Sequence, residues 1–178
     1  VVIEAASIMG QQFDAELLPV VADLSRAEVT HILTSLNRDR LVHSTGKRDR
    51  YVFNHKITRD AVYQNIEPLR RAELHARAAE ELVNRRDAGF MVTDGDLARH
   101  ITAAAQLMEP SKVVAAVRAA ADEAAADWSR SRQAKELAIA LDFIPAAQRA
   151  QRAEVLVELA DAYGIMGRNE ENKKYALE

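Results

Sequence analysis

The chain has no cysteine. That excludes a disulfide framework and any thiolate chemistry, and it fits a reducing cytosol. No apolar run approaches the length of about 20 residues that a membrane helix needs. No signal peptide is expected before the first helical pattern. Aromatic residues make up only 5% of the sequence. Chemical signatures are missing as well. There is no G-x-x-x-x-G-K-[ST] loop to cradle phosphates, no G-x-S-x-G nucleophile turn and no H-E-x-x-H metal motif. The five histidines, His31, His43, His55, His75 and His100, are isolated from one another, and none has a partner at metal-ligand spacing. His31, His43 and His75 are expected at the surface, and His100 in helix packing. The adjacent carboxylates Glu80–Glu81 and Asp122–Glu123 point to different sides of a helix and make poor acid–base pairs. No catalysis and no metal site are expected of these residues.

What is present is charge of both signs and, from Ala72 onward, abundant alanine. Twenty-four basic and 27 acidic residues leave a net charge of −3, which does not suggest a polybasic partner for nucleic acid or membrane. Alanine-rich helices pack closely, as in helical repeats. The chain begins at Val1 inside an apolar helical pattern and stops at Leu177-Glu178 inside another, as expected of a segment taken from a longer protein.

The most informative stretch is Arg50 to Ile66. Tyr51-Val52-Phe53 is β-branched and aromatic and predicts a short strand. Asn54 is a favourable N-cap. From His55 the period becomes helical: Ile57 with Ala61 and Val62 with Ile66 predict an apolar side. His55, Arg59 and Tyr63 fall on one stripe of that helix. A histidine and an arginine therefore project together from a helix N-terminus, where free amides and the dipole favour anions.

Upstream, the spacing predicts helices over Val1–Met9, after Asp14, and from Ser25 to Arg40. Ser25 and Glu28 form the last helix's capping box. Leu41–Ser44 and Arg50–Phe53 predict a β-hairpin around Gly46. Downstream, Pro68 opens a helix to about Arg85 with Leu74, Ala78 and Leu82 on one stripe. Further helices are predicted from Asp96 as cap to Leu107, over Lys112–Asp127, from Ser129 or Ser131 to Ile144, and over Ala147–Met166 and from Glu170 onward. Trp128 is expected in the core. The fold class is therefore mainly α. A winged helix-turn-helix with a small hairpin spans 1–66, and α-α hairpins spaced like TPR units span 67–178.

The motif Phe53-x-His55-x-Ile57-x-Arg59-x-Ala61-x-Tyr63, with the opening from Ala5 to Val42, resembles the winged-helix segment of large bacterial STAND-type ATPases. That group includes LuxR-type and AfsR-like regulators and ATPases associated with adenylate cyclases. In it the winged helix follows a nucleotide-binding module and precedes TPR-like repeats. Leu156, Leu159, Ala160, Tyr163 and Gly167 match a first repeat helix, and Ala134, Ala138 and Pro145 the preceding second one. The resemblance implies that ATP or ADP binds elsewhere in the parent chain and that no cofactor binds this segment. It implies that His55 and Arg59 sense the nucleotide's phosphate. The implied partners are the nucleotide-binding domain of the same chain and a protein or ligand on the repeat surface, with DNA reached only through another domain, in the cytoplasm.

An alternative is a DNA-binding regulator, with the third helix in the major groove, the wing along the backbone, and Arg26, Arg38, Lys47 and Arg48 as candidate DNA contacts. Charge weighs against it. From Val1 to Asp60 there are eight basic residues (Arg26, Arg38, Arg40, Lys47, Arg48, Arg50, Lys56, Arg59) and eight acidic ones (Glu4, Asp14, Glu16, Asp23, Glu28, Asp39, Asp49, Asp60). A net of zero is poor for a ligand bound chiefly through its phosphates.

Overall fold

Phe13 and Phe53, five and a half ångströms apart between ring centres, mark the middle of the first half of the protein. The computed structural model describes residues 1–47 and 49–177. It is mainly helical with one small antiparallel sheet. The chain divides into two compact units, Val1–Gly89 and Phe90–Glu178.

The first unit begins with α1 (Val2–Met9), which ends at Gly10 with a positive φ of 127°. Strand β1 (Gln12–Asp14), a 3-10 turn (Ala15–Leu17) and α2 (Leu18–Ala22) follow. Asp14 accepts a hydrogen bond from the Glu16 amide, so it caps the 3-10 turn. Helix α3 (Arg26–Arg38) starts at the expected capping box: Ser25 and Glu28 bond each other's amides. Strands β2 (Val42–Ser44) and β3 (Arg50–Phe53) form the expected hairpin. The third strand was not expected: β1 pairs with the other edge of β3, giving the order β1-β3-β2. Helix α4 (Lys56–Asn65) and α5 (Pro68–Asp87) complete the unit.

Ile8, Leu18, Val29, Leu33, Val42, Ile66 and Leu74 close around the two phenylalanines. Helix α5 packs on α1 and α2, and Arg85 at its end holds Asp14 at 3.2 Å and Glu81 at 3.2 Å. The boundary expected after Ile66 therefore falls inside the first compact unit.

The second unit is built of α6 (Asp94–Ala103), a 3-10 turn (Ala105–Leu107), α7 (Pro110–Ala126), α8 (Arg130–Phe143), α9 (Arg149–Ile165) and α10 (Asn169–Leu177). Each helix packs on the next through a short connection, the arrangement of αα-hairpins. Thr93, not Asp96, caps α6. The core consists of Val113, Val117, Ala120, Ala134, Leu137, Val155 and Leu159, with further alanines. Glu123 of α7 accepts a bond from the Gly95 amide at 3.0 Å and one from Arg132.

Two packing expectations are corrected. Trp128 is 83% exposed, because the α7–α8 turn places it in the left-handed region with φ 58° and turns its ring out toward Arg130. His75 is buried rather than at the surface, since its ring meets Tyr63. His100 is buried as expected, and His31 and His43 are exposed. No helix among the described residues is long and apolar enough to cross a membrane.

Candidate functional site

The site is the junction between β3 and α4. Asn54, the expected cap, does something else. Its side chain donates to the Arg40 carbonyl at 2.6 Å and its oxygen meets His43 Nδ1, while its amide donates to Leu41 at 3.0 Å. Asn54 thus ties β3 to the left-handed turn at Arg40 that ends α3. The N-cap position passes to His55, which has extended backbone angles and makes no side-chain cap. Its carbonyl accepts from Thr58 and Arg59. Among the described residues the Lys56 and Ile57 amides have no acceptor. An exposed imidazole therefore stands at a helix start with two open donors, a polarity suited to an anion.

The next turn is organised by Asp60. Lys56 Nζ reaches it at 2.9 Å and Arg59 Nη1 at 2.7 Å. The Lys56 hydrogen bond first, and then the Arg59 bond, hold its carboxyl below the usual range. Arg59 also donates Nε to the Ser7 carbonyl at the end of α1, at 3.0 Å, and lies 5.2 Å over the Tyr63 ring. Arg71 covers that ring at 5.0 Å, and Tyr63 Oη is 3.3 Å from His75 Nε2. His55 and Arg59 are thus not alike: His55 is exposed, whereas Arg59 is spent on fastening α4 to α1. The stripe His55–Arg59–Tyr63 exists, but only its first member is open to a ligand.

The apolar side of α4 is also narrower than the spacing predicts. Ile57 is 79% exposed and Ala61 is exposed, whereas Val62 is half-buried and Ile66 buried. The inward seam is made by the Arg59–Tyr63 polar-aromatic stack instead, which leaves Ile57 beside the open amides.

The residues of the DNA alternative lie apart in character. Arg26 pairs with Glu16 at 4.0 Å. Arg38, in the last turn of α3, and Lys47 are exposed; Arg48 lies outside the described residues. The hydroxyls of Thr30 and Thr34 on α3 bond back to their own helix at 2.8 Å, so they offer less to a groove. No cluster of three or more potential metal ligands occurs among the described residues.

Sequence reasoning missed Tyr63 as the hub between two guanidiniums and a buried imidazole. The signal was available in part: Tyr63 and Arg59 are four apart on a helix, but His75 arrives from a different one. Comparison with protein-family models, with curated proteins and with solved structures gives no match.

Proposed function

We propose that this chain is the non-catalytic switch and protein-interaction region of a STAND-type ATPase that regulates signalling or transcription in the cytoplasm. On this reading α3, the β2–β3 hairpin and α4 act as a winged helix, and the helices of the second unit act as TPR-like repeats that receive a partner. ATP or ADP is held by a nucleotide-binding domain of the same longer protein, and His55 contacts the terminal phosphate of the diphosphate. The reading rests on the motif around His55, and one structural observation supports it above the others: the start of α4 presents an exposed histidine beside two unpaired amides.

Arg59 has a different part from the one its spacing suggests. It positions α4 through Ser7 and Asp60, so that His55 and the open amides keep their place. A charge-assisted bond from His55, together with the helix dipole, favours the closed, diphosphate-bound packing. A change at the phosphate then shifts the population between two packings. This segment alone offers too few donors to retain a nucleotide without a phosphate-binding loop.

The balanced charge of residues 1–60 and the internal bonding of Thr30 and Thr34 weigh against the DNA reading. The test is His55→Ala in the full-length protein, with bound diphosphate measured after purification. Retention should fall about tenfold or more, the worth of one charge-assisted bond, and basal activity should rise. Unchanged retention with unchanged basal activity would sink the proposal.

A further inference from the structure

Only Asn54 and His55 join β3 to α4, yet the backbone on both sides of His55 is held by long-range bonds. Before the link, the Phe53 amide donates to the Gln11 carbonyl at 3.0 Å. Gln11 Nε2 donates back to the Phe53 carbonyl at 2.6 Å. Gln11 leads into β1, on one edge of β3, whereas Asn54 is tied toward β2, on the other edge. The Asn54 amide donates to Leu41, and its side chain joins Arg40 and His43. One turn into α4, Arg59 is fastened to Ser7. His55 itself is exposed, and its imidazole has no partner among the described residues. A polar side chain without an internal bond, on a backbone fixed from both sides, is preorganised for a group outside the unit.

The Asn54 side chain is not needed to close the turn it touches. Arg40, with φ 57°, ends α3 by backbone bonds alone. The Leu41 amide donates to Leu36 at 2.9 Å and the Arg40 amide to Asn37 at 3.0 Å, the pattern of a left-handed helix end. Arg40 is exposed, so water can serve its carbonyl in place of Asn54. What the side chain adds is a link from that turn to the residue before His55. Asn54 gives an amide hydrogen to the Arg40 carbonyl, so its oxygen can only accept, and His43 donates from Nδ1. His43 thereby fixes the plane of the Asn54 amide.

We propose that Asn54, locked by His43, is the positioning residue for His55. Through it the α3–β2 turn sets where the imidazole and the open Lys56 and Ile57 amides point. The proposal rests on the reading of His55 as a phosphate contact and supplies the residues that aim it.

The test has two arms. In the 178-residue chain, NMR relaxation reads the order of the His55 and Lys56 amides. The parent chain should show rigid-backbone order parameters of about 0.85, and Asn54→Ala or His43→Ala should lower them toward about 0.6. His43→Asn sets a donor amide close to where Nδ1 stood and should restore the parent values. His43 is exposed, so His43→Ala should keep the fold and carries the test if Asn54→Ala does not fold. Unchanged order in His43→Ala, or no rescue by His43→Asn, would overturn the proposal. In the full-length protein, Asn54→Ala should lower diphosphate retention about three- to tenfold, the worth of one neutral hydrogen bond. It should lower it no further where His55 is already alanine. An equal loss in both backgrounds would mean that Asn54 does not act through His55 and would also overturn the proposal. Unchanged retention in His55→Ala alone sinks the phosphate reading, while the order parameters still decide the positioning, so the two fail separately.

Discussion

The two units bury different things and are tied together differently. The first encloses two phenylalanines among branched aliphatics, and its bonds span long stretches of chain. Gln12 to Asp14 pair with Arg50 to Val52, and Arg85 reaches back to Asp14. The second buries mostly alanine and valine, and each helix meets chiefly its sequence neighbours. A unit held by distant contacts gains its stability all at once, whereas a row of neighbours behaves as a sum of local terms. On the proposed reading, a switch that changes as one piece would draw on the first pattern and a partner-binding surface on the second.

The largest expected effect follows from that contrast. Phe53→Ala removes a ring packed on Phe13 and buried at the centre of the sheet. It should cost roughly 3–5 kcal/mol. Hydrogen exchange should show α1, the sheet and α5 losing protection together. Leu137→Ala, equally buried in the second unit, should cost roughly 2–5 kcal/mol but expose mainly α7, α8 and α9. If Leu137→Ala lowers protection evenly from α6 to α10, the neighbour-by-neighbour picture fails.

A smaller effect sharpens the same comparison. Arg85 is 16% exposed and faces Asp14, Glu16 and Glu81. Arg85→Met keeps the stem but removes the nearest cation from three carboxylates, of which Asp14 and Glu16 keep only the 4.0 Å contacts of Arg50 and Arg26. The expected loss is about 2 kcal/mol, less than for a fully buried pair because solvent reaches part of the cluster. Urea unfolding of the first unit would measure it, and a loss within error would mean that the long-range tie is held by packing alone.

Local signals were legible in the sequence where a few neighbouring residues decide the outcome. Ser25 with Glu28 fixes the start of α3, Pro68 the start of α5, and Tyr51 to Phe53 a strand. Strand β1 was not legible. Gln12-Phe13-Asp14 holds one apolar residue and becomes a strand only because the edge of β3 is there to pair with. Asn54 has the chemistry of a cap, yet the Arg40 carbonyl and His43 arrive from across the fold and take its side chain. At the candidate site, the spacing places His55 at the start of α4, where it stands. The separate employment of Arg59 depends on the Ser7 carbonyl, 52 residues away in sequence. Trp128 turns outward because a turn requires its left-handed backbone, something its hydrophobicity does not encode.

The smallest expected effects come from two carboxylates of the second unit with opposite responses to pH. At Glu123 burial pushes the pKa up, but the Gly95 amide bond, the Arg132 guanidinium and the Asp94 amide outweigh it, so the value lies below its ordinary 4.5. A depressed value in the folded state means stability that is present above the unfolded value and lost as pH falls through the folded one. At Glu136 burial raises the pKa, only partly opposed by Lys135 and Arg132. Its ionised form is therefore the disfavoured one: the folded state gains from its proton below the ordinary value and loses that gain as pH rises through the raised one. Glu123→Gln should accordingly be less stable than the parent chain at neutral pH, with the gap closing below about pH 4. Glu136→Gln should be slightly more stable at neutral pH, with its advantage vanishing in acid. Thermal unfolding of both variants from pH 3 to pH 8 measures the two slopes. Gaps that move in the same direction for both variants would mean that burial, and not the Gly95 and Arg132 bonds, governs Glu123.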